Sequence, residues 1–164
     1  MNKTEIFNRV RSIRNLNSEK TAGWLIDLAS TLPEDQWCLE VGTYFGYISS
    51  ALAVSGRKVI TIDHMLCGFC DIVPDSRCLY PEVIENFRRV GAWNLIMPFP
   101  MKSENAIPIL KIMNPSIGLV YLDGDHSSRT VLMELKEMDR FVPMGGGDVR
   151  GRLHNGEQYK HHAQ

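Results

Sequence analysis

The sequence predicts an α/β fold: a doubly wound, mostly parallel sheet with helices on both faces. Three observations carry that expectation. Residues 37–41 are an apolar run that passes through a glycine turn, 42–46, into a helical stretch stopped at Gly56. A β-branched run at 58–63 follows at once, so strand, helix and strand fall within about thirty residues, the length of a βαβ unit with parallel strands and a right-handed crossover. Further on, Ile117-Gly118-Leu119-Val120-Tyr121-Leu122 is a second buried-strand pattern, and it ends in Asp123-Gly124-Asp125-His126.

Taken in order, the chain opens on a segment, 4–16, with Ile6, Phe7, Val10 and Ile13 at helical spacing and Arg9, Arg11 and Arg14 on the opposite, solvated face. Ser18 is the expected N-cap of a second helix, whose apolar side is Ala22, Leu25, Ile26, Leu28 and Ala29 and which Pro33 ends. After the βαβ unit, Pro81 opens a helix that carries Val83, Ile84, Phe87 and Val90 and stops at Gly91. A third strand is expected over 94–99, then a turn and short helix over 102–110 with Ser103 near its start, and a last helix over 129–141. The chain of 164 residues is expected to be one domain: N-terminal helices in 1–35, the sheet core in 36–147 and a polar, flexible tail in 148–164.

The turn between the first strand and its helix is a ligand cradle. Glycine lets a backbone approach a ligand closely, and free N–H groups at a helix start can face a carboxylate or a phosphate. The spacing is Glu40-x-Gly42-x-x-x-Gly46, without the middle glycine of the dinucleotide fingerprint, which weakens a nucleotide-dependent oxidoreductase. Asp63 ends the second strand about twenty residues past the first glycine, where a carboxylate can accept both hydroxyls of a ribose. Asp123, Asp125 and His126 end the later strand at the same sheet edge and can bind a divalent cation or take a proton from a substrate hydroxyl. The plainer alternatives are a turn-capping Asp63, and Asp125 or His126 as the cap of the next helix.

Composition sets further bounds. A net charge of −1 gives no electrostatic case for nucleic acid or an anionic membrane as partner. No apolar run has the length of a membrane span, and no signal-type stretch follows Met1, so a cytoplasmic address is the default expectation. The four cysteines, Cys38, Cys67, Cys70 and Cys78, are then expected to be reduced. His64, Cys67, Cys70 and Cys78 have a spacing that can hold zinc, though an irregular one, and ordinary loop cysteines are the favoured reading.

Together these stretches resemble the class I S-adenosylmethionine (SAM)-dependent methyltransferases, in particular the small-molecule O-methyltransferase-like group whose fourth strand ends in I-D-G-D-H. The resemblance rests on Leu39 to Gly46, Thr61-Ile62-Asp63, Lys102-Ser103-Glu104, Tyr121 to Ser127, and the turn Phe141-Val142-Pro143-Met144-Gly145-Gly146, and spans roughly 18–147. It implies a Rossmann-like sheet. It also implies Glu40, Gly42, Thr43, Tyr44 and Gly46 at the methionine end of SAM, Asp63 on the ribose, Ser103 beside the adenine, Asp123 among the groups that touch the cofactor, and Asp123 and His126 facing a small hydroxylated acceptor as catalytic groups. Related groups hold Mg²⁺ near here, which implies Asp123, Asp125 and Asp148 as ligands. The departure is at the end, where the usual C-terminal strands are expected to be lacking: a naturally minimal protein, a shortened product and a fragment are the competing readings. The bare strand edge this would leave invites pairing, so a homodimer is expected. Methyl transfer is the leading function, and a SAM-binding chain without catalysis is the alternative.

Overall fold

A computed structural model describes residues 1–67, 77–125, 127–141 and 153–155. Its elements are α1 (Lys3–Val10), α2 (Glu19–Ser30), β1 (Trp37–Val41), α3 (Tyr47–Val54), β2 (Val59–Ile62), β3 (Leu66–Cys67), β4 (Arg77–Cys78), α4 (Tyr80–Arg89), β5 (Ile96–Phe99), α5 (Ser103–Met113), β6 (Ile117–Leu122), α6 (Ser128–Met138) and β7 (Leu153–Asn155). The strands β5, β2, β1, β6 and β7 form one sheet in that order, and every pairing in it is parallel.

Local chemistry explains the helix starts. Asn2 caps α1 in a capping box with Glu5, and Ser18 caps α2 by accepting from the Thr21 N–H. The first helix stops at Val10, short of the expected 4–16, although Ile13 beyond it is still buried. Strand pleating sorts the core into two layers. On one face Cys38, Leu119 and Tyr121 pack with Ile6, Val10, Leu25, Ile48, Leu52 and Phe87 from α1–α4. On the other face Leu39, Val41, Ile60, Ile62, Val120 and Leu122 pack with Ala106, Ile107 and Leu110 of α5 and Met138 of α6. Alternate residues of β1 and β6 therefore serve opposite layers, which is why their runs are apolar throughout.

Two expectations are corrected. The outer edge of β6, expected to be bare, pairs with β7 through Val120↔Leu153, Tyr121↔His154 and Leu122↔Asn155. Part of the expected polar tail is thus a strand, because ladder bonds need only backbone and not an apolar run. The pairing moves that edge of the sheet from β6 to β7. The cysteine stretch, read as irregular loop, contains the short antiparallel pair β3–β4, with Leu66 opposite Cys78 and Cys67 opposite Arg77. Cys70 lies outside the described residues, His64 Nδ1 accepts from the Leu66 N–H at 2.9 Å, and the described residues hold no cluster of three groups fit for a metal.

Candidate functional site

The order of the strands fixes where a site can be. The chain winds outward from β1 to β2 to β5, then returns to place β6 on the other side of β1. The crevice at this reversal, outside the carboxyl ends of the strands, is where open α/β sheets take ligands. Register brings the ends together: Val41 pairs with Ile62 and with Leu122, and Ile62 with Phe99. The ladder runs one residue further, through Gly42 N–H to Ile62 O (2.8 Å), Asp123 N–H to Val41 O (2.8 Å) and Asp63 N–H to Phe99 O (3.2 Å). Gly42, Asp63 and Asp123 consequently stand on one edge.

The turn from β1 to α3 is held on all sides. Gly42 has φ +98°, and a Cβ there would run into the Asp123 backbone, so the close approach of β1 to β6 requires glycine. Gly46 has φ +84°, and a Cβ there would meet the Phe87 ring of α4. Both glycines thus answer to protein neighbours. Between them Tyr44 adopts φ +52°, uncommon for a residue with a side chain. The Asp63 carboxylate sustains that conformation: Oδ2 accepts from the Tyr44 N–H at 2.9 Å and Oδ1 from the Met65 N–H at 2.7 Å. Asp63 keeps 18% of its side chain exposed. From below, the buried Asn86 of α4 donates to the Phe45 carbonyl at 3.0 Å. No side chain caps the start of α3.

Glu40 is deeper than expected, 1% exposed. Ser49 of α3 donates to its Oε2, Thr61 of β2 donates to the same oxygen at 3.2 Å, and the Thr43 and Thr61 hydroxyls share a hydrogen bond. Burial pushes its carboxyl up to about 8, with the Ser49 bond opposing and the nearby Asp123 charge adding to the rise. Glu40 and Thr43 thus tie the turn to β2 and α3 from beneath, and the turn reaches the crevice through its backbone.

On the β6 side, Asp123 Oδ2 accepts from Asn17 Nδ2 at 3.0 Å, and the Tyr121 hydroxyl donates to Asn17 Oδ1 at 2.9 Å. Asp125 does not cap α6, a role taken by Ser127, whose hydroxyl accepts from the Thr130 N–H. Asp125 braces that cap from two residues before it, Oδ1 accepting from the Ser127 N–H at 2.9 Å and Oδ2 from the Ser127 and Thr130 hydroxyls at 2.9 and 2.8 Å. Ser103 is buried at the start of α5, with its hydroxyl on the buried Glu134 of α6; burial raises that carboxyl and the Ser103 bond opposes the rise. His126 and Asp148 lie outside the described residues. With Asp125 turned to α6, the described residues do not fit a magnesium ion.

The sequence reading missed Asn17, Ser49, Thr61 and Asn86 as parts of this site. A lone glutamate in an apolar strand is a signal that could have pointed to buried partners such as Ser49 and Thr61, since an unpaired carboxyl there is costly. Nothing in the local sequence pointed to Asn17, which meets Asp123 across more than a hundred positions.

Comparisons bear on the whole. A family model described as a methyltransferase domain matches residues 39–147. The fold is similar to the cofactor-bound Rv0187 from MTB, with a TM-score of 0.63 at 17% identity over 87% of this chain and 61% of that one. It is also similar to the O-methyltransferase TomG from Streptomyces achromogenes in complex with SAM (TM-score 0.60, 16% identity, 85% of this chain, 59% of that one). An rRNA methylase from Streptococcus thermophilus is a third likeness (TM-score 0.58, 14% identity, 87% of this chain, 72% of that one). The chain thus spans about three fifths of the length of the first two. No curated protein matches it by sequence.

Proposed function

The chain belongs to the methyltransferase domain family, and from that premise we propose that it transfers a methyl group from S-adenosylmethionine to the oxygen of a small hydroxylated molecule. The observation that carries this reading is the edge of the sheet, where an uncapped helix start, a glycine turn and the carboxylates of Asp63 and Asp123 meet at the strand reversal. SAM, when bound, supplies a methyl group on a sulfonium centre open to attack by an oxygen nucleophile.

The remaining work falls to the chain's own groups. Asp63 spends one lone pair of each oxygen on a backbone N–H and keeps acceptor capacity for the ribose hydroxyls. Gly42, Tyr44 and Gly46 shape the turn, their N–H groups being spent on the Ile62 carbonyl, the Asp63 carboxylate and the Thr43 carbonyl. The N–H groups of Thr43, Phe45 and the first turn of α3 face the carboxylate of the methionine portion. Glu40 contributes from beneath, by keeping that turn in place. Ser103 stands on the adenine side. Asp123 and His126 orient the acceptor and take its hydroxyl proton, a contribution on the order of 10²–10⁴-fold. No step is assigned to Mg²⁺.

The likeness to TomG supports oxygen as the acceptor atom, and the net charge of −1 argues against a polyanionic acceptor. Calorimetric titration of the purified chain with SAM and with S-adenosylhomocysteine (SAH) tests the reading, with dissociation constants in the micromolar range expected, about −8 kcal/mol. A folded chain that takes neither compound would defeat it. Binding without turnover on any hydroxylated acceptor or RNA would favour the non-catalytic alternative.

A further inference from the structure

We propose that Asn17 is a positioning residue for Asp123, so that the segment between α1 and α2 forms part of the site. The inference rests on the reading of Asp123 as a group that meets cofactor and acceptor. Asn17 is half-buried and immediately precedes Ser18, the cap of α2, while Ile13 on its other side is buried in the core. Its place is therefore fixed from both directions. Its amide has one consistent orientation. The carboxylate of Asp123 can only accept, so the NH₂ group must face it, and the carbonyl oxygen is left to take the Tyr121 hydroxyl. Tyr121 is 1% exposed and held in the core, so the relay Tyr121–Asn17–Asp123 is anchored at its inner end. Asn17 engages Oδ2 of Asp123, and among the described residues no side chain donates to Oδ1. The relay thus chooses which oxygen is spent on the protein and which is offered to the crevice. A fixed carboxylate is worth more than a rotating one, because an acceptor must be held close to its reacting geometry.

The test has a ligand-free arm and a bound arm. In the NMR spectrum of the free chain, the Asn17 side-chain amide signals should shift in Asp123→Ala and in Tyr121→Phe, and should not shift in the remote Asp27→Ala. In calorimetry with SAH, Asn17→Ala should weaken binding roughly fivefold and Asp123→Ala roughly tenfold. The double variant should then be no weaker than Asp123→Ala alone, since Asn17 acts only through Asp123. Amide signals indifferent to Asp123, or losses that multiply in the double variant, would overturn the positioning role while leaving the cofactor reading standing. If the folded wild-type chain takes up no SAH, that reading falls and the role of Asn17 falls with it.

Discussion

Glu40 shows how a single buried carboxyl governs behaviour on the scale of the residue. Its pKa in the fold, about 8, lies above the ordinary value of 4.5 because burial disfavours the charged form. The proton is therefore bound more tightly in the folded chain than in the unfolded one. It follows that stability is greatest below about pH 4.5 as far as this group is concerned, and declines as pH rises toward 8, with a slope approaching about 1.4 kcal/mol per pH unit. Glu40→Gln has the shape of the neutral acid and cannot ionise, so its stability should be flatter than wild type between pH 5 and 8 in urea melts. Equal slopes for the two chains would mean that Glu40 is charged in the fold. Asp63 calls for a different substitution. Alanine would strip the Tyr44 and Met65 N–H groups of their acceptor, at roughly 1–3 kcal/mol, and so confuse folding with binding. Asp63→Asn retains one acceptor oxygen and loses the charge. We expect it to fold and to bind SAH about tenfold more weakly, and undiminished affinity would remove Asp63 from the ribose site.

At the scale of elements, the unit β1–α3–β2 was legible because each of its signals is local. The strand 37–41 and the start of α3 at Tyr47 stand where the sequence reading put them. The glycine turn was legible as a turn, but its cause was not: Gly46 is required by the ring of Phe87, which arrives from α4, and Gly42 by the backbone of β6. Gly46→Ala should accordingly cost about 2–4 kcal/mol, from the left-handed φ and from the displaced ring. A thermal melt reads that loss directly, and a variant as stable as wild type would mean that Phe87 gives way freely. The elements the reading missed, β3, β4 and β7, are two or three residues long. Strands so short have no period to detect, and they form because a neighbouring strand offers its backbone.

Over the whole molecule, the sheet order decides what the separate signals mean. Asp63 and Asp123 were legible as strand-ending carboxylates, and parallel pairing on either side of β1 brings them to one edge. Asn17 and Asn86 were not legible, since both act across long stretches of chain on partners that only the finished fold brings near. A ligand that bridges the glycine turn, Asp63 and Asp123 touches three strand ends at once, so its binding must be felt as stability of the whole fold and not of one loop. SAH at a hundred times its dissociation constant adds about 2.7 kcal/mol to the folded state. For a chain of this size that corresponds to a rise in Tm of roughly 5–10 °C. The rise should grow with the logarithm of SAH concentration, and Asp63→Asn should need about ten times more SAH to reach the same Tm. A melt that SAH leaves unmoved across millimolar concentrations would mean that the edge of this sheet does not take the cofactor.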